Sequence, residues 1–170
     1  MSAPSQPLQP LVWLVAPALI ALAATMVLAV PFRLFGLSLP EPVFPMVLAF
    51  AWAVIRPSIL GPFLLLLSGL FLDLFWHGEM GLWALSLILV YGVVLMIRNL
   101  MAGQPVLVLW LWYGLFTLLA FGLVYAVVAV DSHSAPNILA VACQSVVTIM
   151  LFPFARRLIE QFEDADIRFR

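Results

Sequence analysis

Of 170 residues, 66% are hydrophobic and 9% charged, where a soluble domain is about 45–50% apolar and about 25% charged. So little polar material cannot coat a core of this size in water, which excludes a soluble enzyme and a disordered chain. Seven arginines, no lysine, eight acids and a net charge of −1 leave no basic field for nucleic acid, so the composition points to a small polytopic membrane protein.

Residues 1–10 are rich in Ser, Pro and Gln and carry no Arg or Lys. A secretory signal needs a positive n-region, so this stretch is expected to be a short disordered cytoplasmic leader and the next apolar run a retained span. Nearly charge-free runs follow at about 11–30, 42–55, 57–75, 80–97, 105–130 and 136–155. About 20 helical residues cross a hydrocarbon core of about 30 Å. Continuous apolar runs lack the period-2 alternation of barrel strands, so the expected fold is all-α, a transmembrane bundle of six helices over 11–155. Breakers fall between the runs: Pro31, Pro40 and Pro42, then Arg56-Pro57, His77-Gly78-Glu79, Gly103 with Pro105, and Asp131 to Pro136.

The arginines fix an orientation through the positive-inside rule. With six spans and a cytoplasmic N-terminus, Arg56, Arg98, Arg156, Arg157, Arg168 and Arg170 lie inside and only Arg33 outside, while Glu41, Glu79 and Asp131 lie outside. A five-span alternative leaves 42–55 as a buried or re-entrant segment, places the N-terminus outside and gathers all seven arginines inside. Both arrangements put the C-terminus in the cytoplasm. Trp13, Trp52, Trp110 and Trp112 fall at expected inner ends, and Trp76, Trp83 and Tyr125 near expected outer ends, where indole and phenol rings favour the headgroup level. Six spans are favoured because 43–55 has no internal Gly and no polar residue at which to turn back.

Ionisable groups inside spans are functional candidates by default, and Asp73, near the outer end of the third run, is the principal one. Its options are His77 four residues on, the free N–H groups of the next helix near Gly81, and Arg33 from the first outer loop. The expected role is a pin between the third and fourth helices. Gln144 and Thr148 share one face of the sixth run and are placed to hydrogen-bond across helices. Small residues at spacing four, Ala21-Thr25-Ala29 and Gly122-Ala126, suggest close helix contacts. Cys143 reads as a small apolar filler, since a lone thiol builds neither a disulfide framework nor a zinc site.

No constellation for catalysis is visible. Ser68-Gly69 lacks the first glycine of a membrane serine-protease turn, and His133 is assigned to a loop. Two histidines without HExxH spacing exclude the usual membrane metalloprotease, and no glycine pattern opens a helix as a nucleotide site. The expectation is a chain that is not an enzyme and holds no metal or cofactor. The tail 156–170 places Leu158, Phe162, Ala165 and Phe169 on one stripe among Glu160, Glu163, Asp164 and Asp166, the pattern of a short amphipathic cytoplasmic helix.

The stretch from Arg56 to Leu85 resembles the MreD family of bacterial rod-shape proteins. The residues that carry the likeness are Arg56-Pro57, Gly61, Gly69-Leu70-Phe71-Leu72-Asp73, Gly78-Glu79-Met80-Gly81 and Ala84-Leu85. Pro153 with Arg156-Arg157 is similar to the family's C-terminal end. Trp76-His77 depart from it, since many members have a small or polar residue there. The resemblance implies a multi-pass inner-membrane scaffold that docks the single-span protein MreC, near the RodA-type polymerase, its transpeptidase and the MreB filament, in the complex that elongates peptidoglycan and maintains rod shape. It also implies a fold similar to the six-helix substrate-binding subunits of energy-coupling-factor vitamin transporters. A substrate-binding subunit of a small-molecule transporter is the alternative function. Arg56, Pro57, Gly69, Asp73, Gly78 and Gly81 are the candidate structural and partner-docking residues.

Overall fold

The computed structural model describes residues 10–28, 33–34, 37–38, 41–55, 58–131 and 137–168, with side chains over 14–28, 41–55, 58–131 and 137–160. Within these, seven helices and a two-residue ladder follow one another: α1 (Pro10–Leu28), β1 (Arg33–Leu34), β2 (Leu37–Ser38), α2 (Pro45–Ile55), α3 (Leu60–Phe75), α4 (Leu82–Met101), α5 (Val106–Asp131), α6 (Ile138–Ile149) and α7 (Phe152–Arg168). β1 and β2 pair antiparallel, with Arg33 opposite Ser38 and Leu34 opposite Leu37.

The helix limits have local causes. The Ser58 hydroxyl accepts the Leu60 N–H at 3.2 Å before α3. Asn137 caps α6, its Oδ1 accepting from the N–H groups of Leu139 and Ala140, as a helix start with orphan donors requires. After α4 the chain turns at Gly103, whose φ of 74° suits a residue without a Cβ.

Three helical stretches are long and apolar enough to cross a membrane: Leu82–Met101, Val106–Asp131 and the run through α6 and α7, Ile138–Glu160. The helices α1, α2 and α3 are apolar but shorter. Large apolar side chains face outward all round the bundle, among them Ile20, Phe63, Met96, Leu111 and Leu118. An exposed apolar surface of that extent is the mark of a protein solvated by lipid, so the chain has the character of an integral membrane protein.

The core is organised around α2. Every residue from Pro45 to Ala53 is buried, with α4 and α7 as the main neighbours and α3 and α1 completing the enclosure. At 1.5 Å per residue, α2 is only about 16 Å long, roughly half the hydrocarbon thickness. A helix enclosed by protein need not match the bilayer, which is how so short a segment is accommodated. Over the run 42–55, where a span is expected, the structure has this short helix in the interior of the bundle. Phe50 on α2 meets Tyr113 of α5 edge-on at 5.4 Å and lies 6.4 Å from Phe116, tying the central helix to the outer ring.

Four expectations change at this level. Trp52 presents no ring face to headgroups: it is 1% exposed, because it belongs to the enclosed helix, and its indole N–H has no hydrogen-bond partner among the described residues. Cys143 is exposed on α6 rather than buried, since in a membrane an apolar run faces lipid as readily as core. Gly122 and Ala126 are exposed, and nothing lies within 4 Å of the space beyond Gly122, so that pair makes no close helix contact. The final span does not run unbroken to 155. It breaks at Met150–Leu151, and α7 starts there because Pro153, which has no N–H and would clash in a helix interior, is tolerated in a first turn. The first turns of α7 then belong to the bundle, with Phe152, Ala155 and Ile159 buried. The stripe residues Phe162, Ala165 and Phe169, and the Ala29 end of the α1 stripe, lie outside the described side chains. On α1 itself, Ala21 and Thr25 are buried, and the Thr25 hydroxyl donates to its own helix at the Ala21 carbonyl.

Candidate functional site at the junction of the third and fourth helices

The carboxylate of Asp73 is the centre of the site. Asp73 occupies the last turn of α3 and is 1% exposed. Its Oδ2 accepts the Gly81 N–H at 2.8 Å and its Oδ1 the Trp83 N–H at 3.0 Å. Gly81 is the residue preceding α4 and supplies no cap of its own, so the preceding helix caps the following one. The negative charge also lies at the positive end of the α4 dipole. Asp73 thus does pin the two helices, through backbone N–H groups. His77 is exposed and enters through its backbone alone, and the side chain of Arg33 lies outside the described residues.

The turn that delivers Gly81 to Asp73 is built from the end of α3. The His77 N–H donates to the Leu74 carbonyl at 3.4 Å and the Gly78 N–H to the Asp73 carbonyl at 2.9 Å, the two bonds of a Schellman helix end. His77 holds the left-handed position, with φ of 54°, where glycine is the usual occupant. Gly81 has φ of 95°, a value that disfavours any residue with a Cβ. Asp73 therefore binds the turn twice, through its side chain and through its own carbonyl.

Gly69, one turn before Asp73, sets the distance between the helices. A methyl placed on it would overlap the backbone of Ala84 on α4. Of the six candidates, the structure brings Gly69, Asp73, Gly78 and Gly81 together within one helix–turn–helix unit; Arg56 and Pro57 lie outside the described residues, as does His133. Gly61 faces Tyr91 of α4, where an added methyl would come 3.1 Å from the phenol oxygen. That phenol exchanges hydrogen bonds with the backbone N–H and carbonyl of Ser58 at 3.3 Å, fixing the other end of α3 to α4.

Several partners around the site had weak or no signal in the sequence. The Trp76 indole N–H donates to Glu41 Oε2 at 2.6 Å, joining the end of α3 to the chain before α2. Trp76 meets Trp83 edge-on at 5.6 Å, and Trp83 meets Phe121 of α5 at 5.2 Å. Gln144 Nε2 donates to the Glu41 carbonyl at 2.9 Å, and the Val43 N–H donates to Thr148 Oγ1 at 3.2 Å, so α6 does bond across the bundle through the face that spacing assigned to it. Trp76 is thus a structural contact of the site, though it departs from the resemblance.

Charge separates along the bundle. Among the described side chains, Glu41, Asp73, Glu79 and Asp131 gather at the end that carries the α3–α4 turn; Arg98, Arg156 and Arg157 belong to the opposite end, with the α4–α5 turn and the start of α7, where Glu160 is the one described acid and pairs with Arg156. Partial desolvation, reinforced by the charge of Asp131 and a hydrogen bond to it, raises the Glu79 carboxyl above its ordinary range. Among the described residues there is no group of three His, Cys, Asp or Glu side chains placed to hold a metal ion. What the arrangement does chemically is hold two helices and a turn in one geometry. No family model, no curated protein and no solved structure matches the chain.

Proposed function

We propose that the chain is an MreD-type scaffold of the bacterial rod complex. In this reading it crosses the inner membrane six times with its C-terminus in the cytoplasm, in the arrangement of the energy-coupling-factor substrate-binding subunits. It docks MreC, supports peptidoglycan synthesis by the RodA-type polymerase and its transpeptidase during elongation beside MreB, and performs no catalysis itself.

The observation that carries the reading is the assembly of Gly69, Asp73, Gly78 and Gly81 into one rigid unit. These residues carry the family resemblance, and their contacts are structural ones. A buried carboxylate with both oxygens bonded to backbone N–H groups is a geometric device. The centre of the bundle is occupied by α2, which favours a scaffold over the alternative of a solute-binding transporter subunit. A single-span partner would then dock on the apolar exterior by packing and a few hydrogen bonds.

The test is co-purification with MreC, set beside cell width. The wild-type chain is expected to retain MreC, and Asp73→Leu, checked for monodispersity, to retain less and to widen the cells. A folded Asp73→Leu protein with unchanged MreC recovery and cell width removes Asp73 from the docking geometry. Failure of the wild type to retain MreC, with a thermal shift on adding a vitamin and recovery of an ATPase, replaces the scaffold with the transporter subunit.

A further inference from the structure

At the arginine-bearing end of the bundle, the break before α7 leaves an apolar groove. It has a volume of about 440 Å³ and is lined by Val106, Leu107 and Trp110 from the start of α5 and by Met150, Phe152 and Pro153 from the α6–α7 junction. Leu107 and Met150 are 64% and 69% exposed, so nothing in the chain's described residues covers them. The groove exists because Pro153 interrupts the helix there, and its apolar lining suits a hydrocarbon chain.

Two features at the rim select the occupant. Arg157 follows Pro153 by four residues on α7 and so lies on the same helix face, one turn further on. Its neighbour Arg156 is engaged with Glu160, while Arg157 is exposed and pairs with no described residue. The first residues of α5, Val106 and Leu107, also bring N–H groups that have no acceptor within their helix, where the dipole favours an anion. A neutral apolar occupant would leave these groups unused, and a second copy of the chain on the same face would bring two Arg157 side chains toward each other.

We infer that this groove binds one acyl chain of an anionic phospholipid, with the headgroup phosphate at Arg157 and the start of α5. The indole of Trp110 adds an amphipathic wall to the groove. The inference depends on the chain being in a bilayer and is independent of the rod-complex reading, since lipid retention and MreC recovery are separate measurements.

The experiment is native mass spectrometry of the full-length protein in detergent, titrated with dioleoyl phosphatidylglycerol, dioleoyl phosphatidylcholine or glycerol phosphate. The wild type is expected to retain phosphatidylglycerol about fivefold better than phosphatidylcholine, the ratio that one basic side chain near an anionic headgroup supports. Arg157→Gln is expected to bring the ratio close to one. Met150→Trp, which fills the groove, is expected to lower retention of both lipids, with Leu107→Phe as a second filling variant should the first not stay monodisperse. Glycerol phosphate is expected not to be retained. Equal retention of the two lipids by the wild type, an unchanged ratio in Arg157→Gln, retention of glycerol phosphate as strongly as of the lipid, or a lipid-free dimer overturns the proposal.

Discussion

Gly69 and Ala84 bring α3 and α4 into backbone contact, closer than any residue with a side chain at position 69 would permit. That approach places Asp73, one helical turn beyond Gly69, within reach of the N–H groups that open α4. Gly69→Ala is therefore expected to destabilise the protein by about 1–3 kcal/mol, as overpacking of a tight contact does, because the obstacle is backbone and cannot rotate away. Gly122→Ala is the matched control: its space is open, and replacing a helical glycine is neutral or stabilising by up to about 1 kcal/mol. Thermal unfolding in detergent distinguishes them, and equal melting temperatures for the two variants would refute the close contact.

His77 closes α3 in the left-handed conformation, which disfavours an L-residue by roughly 1–2 kcal/mol relative to glycine. Since the side chain is exposed, removing it costs little packing. His77→Gly is expected to raise stability by about 1 kcal/mol, less the extra entropy of a glycine in the unfolded chain. His77→Val, β-branched and intolerant of positive φ, is expected to lower it. The melting temperatures of the pair decide the matter, and similar values for Gly and Val would mean that the turn does not depend on the backbone angle.

The Glu79 carboxyl, raised by partial desolvation and then by the adjacent Asp131 carboxyl, makes stability depend on pH. A carboxyl that holds its proton more tightly when folded contributes stability below its ordinary value of 4.5, and loses that contribution as pH rises through the raised value. Wild-type stability is expected to fall across that acidic window. Glu79→Gln, neutral throughout, should match the wild type at the acid end and exceed it above the window. A constant difference between the two proteins across the titration would show that the carboxyls do not share a proton.

Much of this was legible because a bilayer protein concentrates its few polar groups where they matter. Asp73 stood out as a carboxylate in an apolar run, and its bond to the start of the next helix followed from the free N–H groups there. Gln144 and Thr148 were readable as one face from their spacing. What could not be read is which apolar residues face core and which face lipid, since both environments accept the same side chains. Hydropathy therefore gave Trp52 and Trp110 the same place, though one is enclosed in α2 and the other lines a groove, and it put Cys143 inside when it faces out. Nor does any local pattern pair Glu41 with Trp76 or Val43 with Thr148, partners 35 and 105 residues apart, because those bonds exist only once α2 is threaded through the bundle.

Thr148 shows how that threading is secured. Its hydroxyl donates to the Gln144 carbonyl at 2.8 Å and accepts the Val43 N–H at 3.2 Å, and the residue is fully buried. Thr148→Val keeps the shape but removes the acceptor, leaving the Val43 N–H without its partner at a cost of about 1–3 kcal/mol. Thr148→Ser keeps the hydroxyl and loses one methyl, worth about 0.8 kcal/mol when buried. The expected order of melting temperature is wild type, then Ser, then Val, so the variant closest in volume to threonine is the worse replacement. The reverse order would mean that packing, and not the hydrogen bond across 105 residues, holds the start of α2 against α6.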